Sequence, residues 1–141
     1  MKKLVALVTT VLVMAVSGMC FAAGDGTDLN KQQRVVDKFV TALNTPDSSG
    51  FAQLRGDMIA DLQNKITPES FAELQKQLKE RFGTQKAIHF MAYERFDQGD
   101  RLTYLVNYSR QQVVRAIYGF DKNGKMNEFV FVPLEVQQEQ K

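Results

Sequence analysis

The sequence predicts an α+β protein: three N-terminal helices packed on an antiparallel sheet of about four strands. Three observations predict it. Apolar residues recur every three or four positions as far as Phe82, and every second position after Gly83. Thr67-Pro68-Glu69 opens a helix and Gly83 closes it. Asp121-Lys122-Asn123-Gly124 is a hairpin turn between two strand-like segments. Helices gathered ahead of strands favour helices on one face of an antiparallel sheet over alternating βα units.

The chain of 141 residues is the size of one domain. It begins with a segment read as an export signal. Met1-Lys2-Lys3 is basic, Leu4 to Val16 is apolar, and Ser17 to Gly24 supplies small and turn-forming residues. The apolar run is short for ~30 Å of hydrocarbon. Cleavage after Ala22 places Cys20 and Ala22 at the two positions that must be small. An uncleaved anchor and a lipoprotein bearing its lipid on Cys20 are the alternatives, and Ser17 and Met19 before Cys20 argue against the lipid. Residues 1–22 are therefore read as signal, 23–29 as a flexible N-terminus, 30–134 as the domain and 135–141 as a polar tail.

The first helix carries Val35, Val36, Phe39, Val40 and Leu43 on one face. Thr27 or Asp28 is its expected cap, and Asn44-Thr45-Pro46 its end. A second helix is expected from about Gly50 to Gln63, with Phe51, Leu54, Met58 and Leu62 aligned and Gly56 weakening it. The third helix, after Thr67, aligns Phe71, Leu74, Leu78 and Phe82. Strands follow at Ala87–Tyr93, Leu102–Tyr108, Val113–Phe120 and Met126–Val132, with Pro133 closing the last. Leu105 and Ile117 have the opposite parity to Tyr104 and Tyr118. The sheet is thus apolar on both faces, and its second face needs a cover such as a homodimer partner.

Composition excludes several functions. One Cys and one His leave no disulfide framework and no metal-spaced cluster, so neither a metal nor a cofactor is expected. Loss of Lys2 and Lys3 lowers Lys plus Arg from 18 to 16, against 16 Asp plus Glu. The basic pI of 8.7 then belongs to the signal, and no nucleic-acid partner is implied. The reading is a periplasmic or secreted protein with no membrane attachment after signal cleavage.

The layout resembles the nuclear-transport-factor-2-like fold, a cone of helices against a strongly curved sheet. More narrowly, it is similar to the bacterial family called domain of unknown function 3887. The residues that carry the likeness are Val36-Asp37-Lys38-Phe39-Val40, Ile66-Thr67-Pro68-Glu69, Phe82-Gly83, the hairpin from Ile117 to Met126, and Val132-Pro133. The resemblance spans roughly Asn30 to Pro133. It implies a fold and no established activity.

Candidate chemistry is sparse. His89 is the lone imidazole, readable as a general base at a cavity mouth or as a surface strand residue. Arg115 interrupts an apolar strand. It would bind a carboxylate or phosphate inside a cavity, or pair with Glu94 or Glu128 on the solvent face. Tyr93, Tyr104, Tyr118 and Phe131 are core residues or the lining of a pocket with hydroxyl handles. These six are the candidate site, for a small apolar or anionic ligand. The expected role is non-catalytic ligand binding or protein interaction. The alternatives are a small isomerase- or hydrolase-like enzyme using His89 or a buried carboxylate, and an accessory partner of another envelope protein.

Overall fold

The computed structural model describes residues 26–47 and 49–135. The segment read as an export signal and the tail beyond Glu135 lie outside the described residues. Helix α1 spans Thr27–Asn44 and buries Val35, Val36, Phe39 and Ala42, one apolar stripe at helical spacing. Gly26, not Thr27 or Asp28, holds the N-cap position, and no side-chain hydrogen bond caps that end of the helix. The Asp28 carboxylate is instead paired with Arg95. The helix also starts three residues before the boundary placed at Asn30.

The single helix expected from Gly50 to Gln63 is a correction. The chain forms α2 (Ser49–Leu54), a 3-10 turn (Arg55–Asp57) and α3 (Ala60–Lys65), so the described helices number four with α4 (Pro68–Phe82). Between turn and α3, Met58 is extended and bridges Met126, and the Ile59 N–H donates to the Met126 carbonyl at 3.0 Å. The Lys125 ammonium donates to the Gly56 carbonyl. A sheet edge offering free backbone groups outcompetes a helix already weakened by glycine.

α4 starts as expected. The Thr67 hydroxyl accepts from the Ser70 N–H at 3.1 Å, and Ser70 Oγ accepts from the Thr67 N–H at 2.8 Å. It stops at Gly83, whose φ of 88° suits glycine, and any Cβ there would collide with Ser109 Oγ.

Strands β1 (Gln85–Phe96), β2 (Gly99–Tyr108), β3 (Val113–Asp121) and β4 (Met126–Leu134) form one antiparallel sheet in sequence order. β1 and β2 join by a tight turn in which Phe96 faces Gly99, so both strands are longer than expected. β4 continues through Pro133, which pairs with Val114; an edge strand tolerates the missing N–H. The β2–β3 connection is tied down by α4. The Phe82 carbonyl accepts from the N–H groups of Arg110 and Gln111, and the Thr84 carbonyl accepts from that of Ser109.

Register places Phe90, Tyr104, Ala116 and Phe131 in one row across the helix-covered face. Leu102, Tyr118 and Phe129 form the next row, level with Tyr93. The Phe39 ring from α1 sits over this floor, 5.7 Å from Tyr118, 4.8 Å from Phe129 and 6.1 Å from Phe71 of α4. Helices and sheet therefore share one aromatic core.

Candidate functional site

A groove of about 450 Å³ opens where α1 and α4 diverge over the sheet. Its walls are Val40 and Leu43 from the last turns of α1 and Leu78 from α4; its floor includes Val106, Tyr108, Tyr118 and Phe131. Polar side chains bridge its rim. Gln75 Nε2 donates to the carbonyls of Ala42 at 2.7 Å and Thr45 at 2.8 Å, satisfying the end of α1. Asn44 Nδ2 donates to Gln85 Oε1 at 3.1 Å, linking α1 to the start of β1. Lys76 and Lys79 stand on the rim, exposed, and neither has a carboxylate within ion-pair distance among the described residues.

The floor phenols are neutral. Burial pushes Tyr108 up, and it pushes Tyr118 far up, with Tyr108 and Tyr104 adding to the effect. They are hydrogen-bonding handles rather than bases. The groove can therefore bind an apolar body against its floor and an anionic end beside the two lysines.

The six candidates divide. Tyr118 and Phe131 line the groove. Tyr104 lies deeper in the same aromatic run, with ring centroids 5.9 Å from Tyr118 and 5.5 Å from Phe90. Its hydroxyl is buried without a partner of good geometry; the Gln33 amide lies near it, and burial first and Asp37 second push it up to about 12. Tyr93 is remote from the groove, beside Asp100 at the other end of α1. His89 and Arg115 share a row with Leu105 and Val132 on the outer face, which the helices do not cover. His89 is exposed there. Arg115 pairs with neither Glu94 nor Glu128: Glu94 meets Arg101 at 3.6 Å, and Arg115 Nε is buried without a partner.

A second, polar cleft lies at the N-terminal end of α1. Gln32, 3% exposed, donates from Nε2 to Asp100 Oδ2 at 2.7 Å. Arg95 donates from Nε to Asp100 Oδ1 at 3.0 Å and from Nη2 to Asp28 Oδ2 at 2.8 Å. Burial alone would raise the Asp100 carboxyl. The hydrogen bonds from Arg95, Gln32 and Tyr93 outweigh it and hold the group below its ordinary value. Burial and the same carboxylate push Tyr93 up to about 12.

Sequence reasoning missed this cluster because Arg95 and Asp100 both lie outside the strands expected at Ala87–Tyr93 and Leu102–Tyr108. Its signal was Arg95 and Asp100 flanking a short turn at facing positions, with Gln32 in line with Val35, Val36 and Phe39. Val40, Leu43 and Leu78 were visible only as apolar helix faces, because periodicity does not distinguish a core contact from a groove wall.

The family profile described as protein of unknown function (DUF3887) matches residues 36–129. The chain belongs to the DUF3887 family. The matched stretch runs from within α1 into the first part of β4, so it includes the groove walls on both helices and the Tyr108 and Tyr118 floor, while Phe131 lies just beyond it. DUF3887 assigns no chemistry to any of these residues. No curated protein and no solved structure matches the chain.

Proposed function

We propose that this DUF3887 protein is an exported binding protein whose groove between α1, α4 and the sheet takes a small amphipathic molecule with an anionic end. The observation that carries the reading is the pairing of an apolar floor with two lysines, Lys76 and Lys79, that have no ion-pair partner among the described residues, on one rim of a groove of about 450 Å³. The nuclear-transport-factor-2-like cone fits this arrangement. The bulges between Phe90 and Ala92 and between Gly119 and Phe120 fall where such a sheet would curl around its helices. Export and a periplasmic or secreted location rest on residues 1–22.

Anilinonaphthalene sulfonate, an apolar ring system with one anionic group, tests the groove directly. The wild-type protein is expected to bind one equivalent, and Leu78→Trp, which fills the groove, to weaken binding by about tenfold or more. Equal binding by Leu78→Trp, with loss in the outer-face variant Val130→Lys, would place the dye on the sheet instead.

One observation favours a second role for that outer face. Val130 is 44% exposed beside Ile117, in a sheet face that also carries Leu105 and Val132. A homodimer through this face would cover them. Val130→Lys is then expected to convert a dimer to a monomer in sedimentation, without affecting dye binding in the groove.

A further inference from the structure

We propose that the groove's ligand is an anionic amphiphile with a carbonyl group in its apolar body, placed to accept a hydrogen bond from Tyr118. Tyr108 supplies a second donor on the same floor. This requirement rests on the groove being a binding site and adds what its ligand must contain.

Tyr118 stands in the row of Leu102 and Phe129, but its ring leans into the next row. Its centroid lies 5.9 Å from that of Tyr104 and 6.3 Å from that of Phe131, both edge-on. The residue is 1% exposed. Among the described residues, the unpaired side-chain atoms sealed from solvent are Gln32 Oε1, Tyr104 Oη and Arg115 Nε. The Tyr118 hydroxyl has no protein partner either, yet it is not sealed. The little of the residue that stays accessible includes its oxygen, where it lines the groove. Tyr108, half-buried with its ring 5.5 Å from Phe82, lines the same floor, and its hydroxyl also lacks a partner among the described residues. Burial keeps both phenols protonated at neutral pH, so both are O–H donors there.

The rim amides are already engaged. Gln75 is spent on the Ala42, Thr45 and Asp47 carbonyls, and Gln85 Oε1 on Asn44. In the free protein, water takes the phenol hydrogens. A wholly apolar body that displaces this water leaves a buried O–H unpaired, whereas a carbonyl oxygen, with two lone pairs, accepts from one phenol or both. The anionic end stays beside Lys76 and Lys79, because charge is costly to bury on an apolar floor. A site built to bond a polar group discriminates strongly against the analogue that lacks it.

Calorimetric titration with matched pairs tests the requirement. The probes are 4-benzoylbenzoate against 4-benzylbenzoate, and the corresponding meta-substituted pair; within each pair a ketone replaces a methylene. In at least one pair the ketone is expected to bind about tenfold tighter. Tyr118→Phe is expected to bring that ratio close to one, and Tyr108→Phe to lower it. Tyr104→Phe, which removes a hydroxyl sealed from the groove, is expected to leave it unchanged. The exposed double variant Lys76→Ala/Lys79→Ala is expected to weaken both members by about tenfold while preserving the ratio. Equal affinities within both pairs, or a ketone preference that survives Tyr118→Phe, overturns the carbonyl requirement. Where Tyr118→Phe does not fold, the wild-type ratios with Tyr108→Phe and Tyr104→Phe decide. Anilinonaphthalene sulfonate separates the two failures. Dye binding without a ketone preference leaves the groove standing and removes the carbonyl; no binding by the dye or by either pair removes both.

Discussion

The two ends of α1 meet the sheet in opposite ways. At the N-terminal end, Gln32, Arg95, Asp100 and Asp28 are joined by hydrogen bonds that fasten the helix to the β1–β2 hairpin. At the C-terminal end the helix is fastened only at its margin, by Gln75 and Asn44, and the space beneath Val40 and Leu43 stays open. Between them the Phe39 ring closes the core against Tyr118 and Phe129. The difference shows how a small fold keeps a groove beside a packed core. One end of a helix is locked by charge, the middle is packed with aromatics, and the other end is bridged to its neighbours only at the rim.

Phe39→Ala breaks the comparison at its pivot. The residue is fully buried. Truncation should cost about 3–5 kcal/mol in chemical denaturation, and loosen both ends together. Asp100→Ala attacks only the locked end. Its carboxylate is 8% exposed but Arg95 is 37% exposed, so the stranded guanidinium can rehydrate. The expected loss is about 2 kcal/mol at neutral pH, below that of a fully buried pair. The pH dependence follows from the lowered Asp100 value. The unfolded carboxyl titrates near about pH 4, so the contribution is complete above that. It disappears as pH falls through the lower folded value, and the gap between wild type and Asp100→Ala should close in acid. A gap that widened in acid would contradict the lock.

Gln75→Ala sharpens the comparison from the open end. It removes the donor to the Ala42 and Thr45 carbonyls at a partly exposed site, for a loss of about 1 kcal/mol. Hydrogen exchange should quicken in the last turn of α1 and stay unchanged at Gln32 and in the β1–β2 hairpin. Acceleration spread evenly along α1 would show that its two ends are not independent.

How much of this was legible in the sequence depended on whether the signal was local. The switch in period at Gly83, the Thr67 cap and the turn ending at Gly124 are each fixed by neighbours in the chain, and each stands where expected. The helix expected over Gly50–Gln63 failed because Met58 is claimed by Met126, a residue remote in sequence. The candidate site shows the same division. Tyr118 and Phe131 could be singled out as aromatics in strands. Their place in the groove, and that of Arg115 on the opposite face, depend on register and on where α1 and α4 cross. The Gln32–Asp100 bond links residues 68 positions apart, beyond any spacing rule.

The groove is tested most directly by a native mass spectrum of the protein isolated gently from a secreting host. The expected result is a chain carrying one additional small-molecule mass, lost from Leu78→Trp and retained by Val130→Lys. A wild-type chain that is bare, and that takes up no anilinonaphthalene sulfonate when the dye is added, would contradict the groove as a binding site.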